Sequence, residues 1–438
     1  MKIFSISGLR GQIGKGLDTK TITSSTVAFA NFIKSGRCAI GRDTRNSSNY
    51  VYNAAIAGLS YGGCHIIDLG ETSTPGIFKY VKNKKLEGGL CVTASHNPPD
   101  WNGLKFIINP GRGINESELN RIKNSEKLYN KNGKITTDHT NYVIDLVNLF
   151  KKNKTNKLKI AVDTNGGAGS LFVEKLFEEL GHEIISINNI PGKFNRKINP
   201  VEDGLEKLSD SIIKNNADVG FAFDADVDRL VILDNNGKKL PADYTLIAGI
   251  KYVKQFLEIN RAAISIDTTR AIHNLLEIEE IEYFETGVGE INVVTKILEK
   301  KCQLGGEGSS GGLIYPEFNI CRDGVLAALM ITSLISKYSQ IKEVFQDVKK
   351  YHQIRSSIKI PKQKHSNIIE KLKIKHNNYS DIDGIKITFN RDSWGLIRGS
   401  NTENVLRISV EDKTLENTEK LFNALKKDIE NITKDTEK

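Results

Sequence analysis

Three carboxylates stand two residues apart at Asp224, Asp226 and Asp228, between the apolar runs 219–223 and 230–233. On an extended backbone, positions i, i+2 and i+4 point the same way. Converging carboxylates repel unless a cation lies among them. A hard divalent ion with oxygen ligands, Mg²⁺ foremost, suits such a set and leaves coordination positions open for a phosphoryl oxygen. The spacing is not that of an EF-hand, because the required glycine and the distant glutamate are missing from their offsets.

A second group surrounds Ser95. The stretch Thr93-Ala94-Ser95-His96-Asn97-Pro98-Pro99-Asp100-Trp101-Asn102-Gly103-Leu104-Lys105 follows a predicted strand. Its prolines stop helix formation and stiffen the loop. Ser95 is thereby held at a strand end, a common place for a nucleophile. Lys105, ten residues on, is placed to carry a proton or touch a phosphate, whereas no Ser-His-Asp triad spacing can be read. His96 reads as a hydrogen-bonding group beside the serine.

Two more loops offer binding rather than reaction. The run 305–312 is Gly-Gly-Glu-Gly-Ser-Ser-Gly-Gly, where glycines let backbone approach a ligand and Glu307 could accept from vicinal hydroxyls. The run 398–404, Arg-Gly-Ser-Asn-Thr-Glu-Asn, combines small donors with Arg398 and, on the next strand, Arg407. Such a set grips a phosphate dianion. It lacks the GxxxxGK[ST] pattern of a nucleotide-binding P-loop.

Alternating strands and helices must position these loops. Short apolar runs at 38–40, 65–70 and 89–93, with helical spacing over 49–62, predict a first βαβ unit. The pattern restarts at 158–163 after a polar Lys/Asn stretch, with a helix over 171–180 and strands at 183–187 and 219–223. It restarts again at 262–268. A smaller segment follows with strands at 385–389 and 405–410 and a terminal helix over 415–432. The units are drawn at 1–150 (serine loop), 151–250 (aspartate loop), 251–362 (Gly/Glu loop) and 363–438 (Arg/Ser loop). The fold class expected is α/β, with three similar mixed-sheet units and a smaller C-terminal α+β unit.

Composition narrows the function. At 438 residues, with 39% hydrophobic and 26% charged residues, the chain has ample material for cores and is not disordered or collagenous. The +9 net charge is spread along the chain, which weakens a nucleic-acid patch and leaves a modest attraction for anionic small molecules. Five cysteines without a CxxC pair read as reduced thiols. The apolar run 325–335 is too short to span a bilayer, and a cytoplasmic location is expected.

Together the loops resemble those of the α-D-phosphohexomutase superfamily. Ser7-Gly8-Leu9-Arg10-Gly11, Gly41-Arg42-Asp43-Thr44-Arg45, the serine loop, Asp224–Arg229, 306–312 and 398–407 fall in that family's order across nearly the whole chain. Gly287-Val288-Gly289-Glu290-Ile291-Asn292-Val293 is similar to its archaeal-type phosphoglucosamine mutase branch. The resemblance implies four domains around one central cleft. It implies an intramolecular phosphotransferase working through phosphorylated Ser95, with one Mg²⁺ per chain held by Asp224, Asp226, Asp228 and a phosphoserine oxygen of Ser95. It places Arg10, His96 and Lys105 at the reacting groups, Glu307 and Ser309 on sugar hydroxyls, and Arg229, Arg398, Ser400, Asn401, Thr402 and Arg407 on substrate. The partner is a hexose or hexosamine phosphate, with a bisphosphorylated sugar as intermediate or activator. Phosphoglucosamine mutase is the expected activity, with phosphomannomutase or phosphoglucomutase as alternative; a sugar phosphatase and a non-catalytic basic binding protein are the rival classes. Ala225 and Val227 stand where the family's metal loop has glycines, a change that ordinary β backbone tolerates.

Overall fold

The computed structural model describes residues 2–126, 128–130, 133–152, 156–400 and 404–435. One four-strand arrangement occurs three times. In the first unit the strands lie in the order His65–Glu71, Arg37–Arg42, Gly88–Val92, Trp101–Ile108. The first three run parallel and the last is antiparallel. In the second, Glu183–Ile187, Lys159–Asp163, Val219–Phe223 and Leu230–Leu233 repeat that order and those directions. In the third, Glu282–Thr286, Arg261–Ser265, Leu304–Glu307 and Gly312–Ile314 repeat them again. The first sheet is widened on both sides, by Lys2–Ser5 and Gly8–Gln12 beyond Trp101–Ile108 and by Ile135–Thr137 beyond His65–Glu71. The fourth unit is an antiparallel sheet of His352–Lys359, Val405–Asp412, Ser393–Gly399, Ile385–Asn390 and Tyr379–Ser380. The expected α/β architecture is therefore present, with an antiparallel C-terminal unit.

The strand sequences account for this layering. Gly88–Val92 and Val219–Phe223 are buried along their whole length. Central parallel strands covered by helices on both faces read as continuous apolar runs in this way. Helix Ser48–Tyr61 covers the first sheet and helix Glu206–Asn215 the second. The apolar run 325–335 forms the middle of helix Gly324–Tyr338, which is buried on all sides from Gly324 to Ile335. It lies in a core shared by the second and third units, alongside Phe221, Ile247 and Ile264. Among the described residues no helix is long and apolar enough to cross a membrane. All five cysteines are free and buried.

The unit limits differ from those drawn on composition. Helix Tyr142–Phe150 joins the core shared by the second and third units. Helix Asp243–Phe256 packs on Gly324–Tyr338 and on Leu304–Glu307, so it belongs with the third unit. Strand His352–Lys359 pairs along its length with Val405–Asp412, so the fourth unit begins before residue 363. Strand pairing and apolar contact decide membership, and a polar linker composition does not report on either.

Candidate active site

The repeated topology puts three of the loops in equivalent places. Each follows the third strand of its unit and leads into the antiparallel fourth: residues 93–100, 224–229 and 308–311. The run 400–404 likewise joins two antiparallel strands of the last sheet.

In the first loop Ser95 is fully buried and adopts the left-handed region at φ 50°. Its N–H donates to Thr93 Oγ1 at 2.8 Å, and its Oγ donates to Asp224 Oδ2 at 3.1 Å. The guanidinium of Arg45 fixes the loop from beneath. It donates to the carbonyls of Ser95 (2.6 Å), Asn97 (2.8 Å), Pro98 (2.6 Å) and Trp101 (3.1 Å). Asp43 holds that arginine at 3.1 Å and accepts from Thr93 Oγ1 at 2.7 Å. A buried arginine that satisfies four carbonyls turns a proline-rich loop into a rigid mount for one hydroxyl. No role was assigned to Asp43 or Arg45 from sequence; the Gly41–Arg45 motif was the available signal.

The three aspartates are fully buried, and one oxygen from each can be chosen so that all lie within 4.8 Å of one another. An extended backbone does not produce this convergence. Residues 225–227 form a turn, closed by the Val227 N–H donating to the Asp224 carbonyl at 3.3 Å, and Val227 itself is left-handed at φ 57°. The expectation of ordinary β backbone at Val227 is thus corrected. A left-handed β-branched residue is an outlier costing about 1–2 kcal/mol. The Val227 side chain is fully buried in the core shared by the second and third units, and that burial offsets the cost.

Burial pushes the Asp224 carboxyl well above its ordinary range, and the charges of Asp228 and Asp226 push it further. Burial also opposes ionisation of Asp228, but Arg322, Lys105 and Arg229 outweigh it and hold that group well below its ordinary value. Asp226 Oδ1 and Asp228 Oδ1 are buried and accept no hydrogen bond from the described residues. Buried carboxylate oxygens without donors are costly, and a cation among them removes the cost. The donor set therefore fits a hard divalent ion of the Mg²⁺ type.

Protein cations surround the cluster. Lys105 Nζ donates to Asp226 Oδ2 at 2.6 Å and Asp228 Oδ2 at 2.8 Å. Burial disfavours its charge, but these two carboxylates outweigh burial and raise its pKa. Arg10 lies opposite Gly103 in the strand register, so it shares a sheet face with Lys105. Its guanidinium donates to Asn97 Oδ1 at 2.9 Å while its Nε is buried without a partner. Burial lowers its pKa to about 10. Arg229 Nε lies 3.8–3.9 Å from Asp228 and Asp224 and is also buried without a hydrogen-bond partner. His96 Nδ1 lies 3.4 Å from Ser95 Oγ. Burial and the nearby Arg229 and Arg10 charges hold His96 in its neutral form. Two buried guanidinium nitrogens with unspent donors are suited to an oxyanion.

The third loop reaches this centre through Arg322. That side chain donates to Asp228 Oδ2 (2.8 Å), Glu307 Oε2 (2.7 Å) and Glu290 Oε2 (3.0 Å). It thus joins the Gly/Glu loop to the aspartate loop. The turn that carries it is pressed against the aspartate loop: Gly324 N–H donates to the Val227 carbonyl at 3.0 Å, and a Cβ at Gly324 would sit 2.7 Å from the Arg229 carbonyl oxygen. Arg322 was not singled out from sequence. A lone arginine before the helix-capping Asp323 gives no periodic or motif signal. Ser309 is half-buried in the 3-10 turn Gly308–Ser310.

The fourth loop stands apart. Arg398 Nη1 lies 3.7 Å from Asp383, and Arg407 is its cross-strand neighbour and is exposed. Ser400 is buried and donates its N–H to the Val405 carbonyl at 3.0 Å. Asn401 and Thr402 lie outside the described residues.

Comparison with known proteins agrees with this geometry. Models of the phosphoglucomutase/phosphomannomutase α/β/α domains I, II and III match residues 1–133, 137–237 and 241–351. A protein from Pyrococcus furiosus named "Probable phosphoglucosamine mutase" is 32% identical over 442 residues, covering 96% of each chain. The chain belongs to the phosphoglucomutase/phosphomannomutase family, the α-D-phosphohexomutases. A "Phosphoglucosamine mutase" from Campylobacter curvus is 30% identical, covering 98% of each chain. A family protein from Burkholderia thailandensis has the same fold, with a TM-score of 0.85 at 21% identity over 98% of each chain. The chain is thus a phosphohexomutase, an isomerase by reaction class.

Proposed function

We propose that this phosphohexomutase interconverts the 1- and 6-phosphates of a hexosamine, glucosamine foremost, through a phosphoserine at Ser95. The single observation that carries the chemistry is the 3.1 Å contact between Ser95 Oγ and Asp224, which sets a fixed hydroxyl against a cation-binding cluster. The sugar is taken from the names of the full-length relatives.

Phosphorylated Ser95 gives its PO₃ to the free hydroxyl of the bound sugar phosphate. The P–Oγ bond breaks, a new P–O bond to the sugar oxygen forms, and in the net step the proton of the sugar hydroxyl ends on Ser95 Oγ, which is left as a free hydroxyl. The bisphosphorylated sugar then turns and returns its other phosphoryl group to Ser95. Charge spreads over the phosphoryl oxygens during each transfer, so the catalytic task is positioning and electrostatic stabilisation. Arg10 and Arg229 supply the unspent donors, and Lys105 supplies a buried positive charge beside them. Asp224, Asp226 and Asp228 would hold Mg²⁺, which supplies further neutralisation of phosphoryl charge when bound. Glu307, oriented by Arg322, and Ser309 meet sugar hydroxyls. Arg398, Ser400, Asn401, Thr402 and Arg407 hold the phosphate that does not react.

A coupled assay offering glucosamine-6-phosphate, glucose-1-phosphate and mannose-1-phosphate tests this reading. The expected result is isomer formation, fastest with the hexosamine, and loss of at least about 10³-fold in Ser95→Ala together with its phosphoryl mass. Release of free phosphate in place of isomer identifies a phosphatase. A faster neutral hexose reassigns the sugar.

A further inference from the structure

Asp226 has one oxygen bare and the other crowded. Oδ1 is buried and has no hydrogen-bond partner, while Oδ2 accepts from Lys105 Nζ at 2.6 Å and from Thr74 Oγ1 at 2.6 Å. Thr74 comes from the first unit, where it opens helix Thr74–Lys84 and is 1% exposed. Its backbone N–H donates to the Asp226 carbonyl at 3.3 Å. One residue therefore grips both the main chain and the side chain of the middle aspartate, across the boundary between units. A third contact completes the set: Thr74 Oγ1 and Cys91 Sγ are 3.1 Å apart, both buried. A hydroxyl has one proton. With that proton committed to Asp226, the thiol of Cys91 is the donor to Thr74. The chain of donors runs from Cys91 through Thr74 to Asp226 Oδ2.

We propose that Thr74 is a positioning residue for the metal site, which fixes the Asp226 carboxylate so that Oδ1 is presented to the cation, with Cys91 fixing the hydroxyl in turn. Two donors on Oδ2 leave the carboxylate a single orientation. A partial rotation would break both bonds, while a half-turn only exchanges two equivalent oxygens and restores the same arrangement. Groups that orient a ligand in this way influence affinity almost as strongly as some ligands do, by about 10- to 100-fold. Because Thr74 and Cys91 lie in the unit that carries Ser95, while Asp226 lies in the next, the same grip holds the metal loop in register with the nucleophile. The inference rests on the reading of the aspartates as a Mg²⁺ site.

Calorimetric titration of the full chain with Mg²⁺ tests it without turnover. Thr74→Val keeps the shape and removes the hydroxyl. Its Mg²⁺ dissociation constant is expected to rise about 10- to 100-fold. Its kcat is expected to recover towards wild type as Mg²⁺ is raised. Thr74→Ser restores the hydroxyl and is expected to restore the affinity. A merely structural role would lower thermal stability in both variants and leave the affinity of the folded fraction unchanged. Wild-type affinity in folded Thr74→Val, or no recovery in Thr74→Ser, overturns the proposal. Cys91→Ala keeps the hydroxyl and removes its donor, so a rise of a few-fold is expected even if Thr74→Val does not fold; an unchanged constant removes the thiol from the relay. Absence of Mg²⁺ binding to the wild-type chain would instead overturn the metal reading itself, a result the variants alone cannot produce.

Discussion

Two regions of the molecule, both proposed to meet phosphate, are built in opposite styles. At the junction of the first three units, Ser95, the aspartates, Lys105, Arg10 and Arg322 are tied into one network that joins the first unit to the second and the second to the third. In the fourth unit, Arg398 has a 3.7 Å ion pair to Asp383 and Arg407 is exposed. The first region is fixed before any ligand arrives. The second offers charge near the ends of two inner strands of its sheet. Transfer chemistry gains from groups already in place when charge develops, because no reorganisation is needed at that moment. Holding the non-reacting phosphate makes a different demand. The two ends of a bisphosphate must both be accepted, so a looser cationic grip serves better.

The contrast predicts that variants in the polar network of the junction lose turnover and stability together, while variants on the fourth sheet lose apparent affinity alone. The largest effect that sharpens it belongs to Arg322. Arg322→Lys keeps the charge but cannot fork among Asp228, Glu307 and Glu290. We expect kcat/KM to fall about 10²-fold, a figure typical of a lost charge-stabilising donor. Thermal unfolding should also shift down, because the buried carboxylates Asp228 and Glu307 and the half-buried Glu290 each lose a donor. A variant that kept full kcat would place Arg322 outside the functional network and reduce it to a strut.

Much of this arrangement is legible in the sequence. Strands at 183–187 and 219–223 match the observed limits, and the restarts of the βαβ pattern match the repeated sheet order. The serine, aspartate and Gly/Glu loops stand out in the sequence because their residue types are unusual for solvated turns, and residues 401–403 of the Arg/Ser loop lie outside the described residues. What escaped has a common cause. Arg45, Arg322 and Thr74 reach Ser95, Asp228 and Asp226 across 50 to 152 positions of sequence, and local spacing carries no trace of such pairs. The left-handed turns at Ser95 and Val227 escaped for the converse reason. Local preference argues against them, and they exist because tertiary contacts over-determine them.

A middling effect tests the other side of the comparison. Arg407→Ala should raise KM for the sugar phosphate about tenfold, the worth of one exposed charge-assisted contact of about 1.4 kcal/mol, with kcat and the unfolding temperature close to wild type. The residue is exposed and strand pairing is carried by the backbone, so stability has little to lose. A matching fall in kcat would show that the fourth sheet also contributes to the transition state, and the division between the two regions would fail.

The smallest effect probes how the junction is built. Val227→Gly installs the residue that a left-handed position prefers and should remove about 1–2 kcal/mol of backbone strain. It also removes a fully buried side chain worth about 1.5–3 kcal/mol and adds about 0.5–1 kcal/mol of chain entropy to be lost on folding. The balance is a loss of about 1 kcal/mol or somewhat more, read as a small drop in unfolding temperature. Activity should hardly move, because the turn closed by the Asp224 carbonyl and the positions of Asp226 and Asp228 need only the backbone angle, which glycine supplies. A gain in stability would mean that strain outweighs packing at this site. A fall in activity with stability intact would mean that the valine side chain, wedged against Gly169 where a Cβ would come within 2.9 Å, helps hold the aspartates in place. That outcome would extend the fixed region beyond its polar network into the apolar core beneath it.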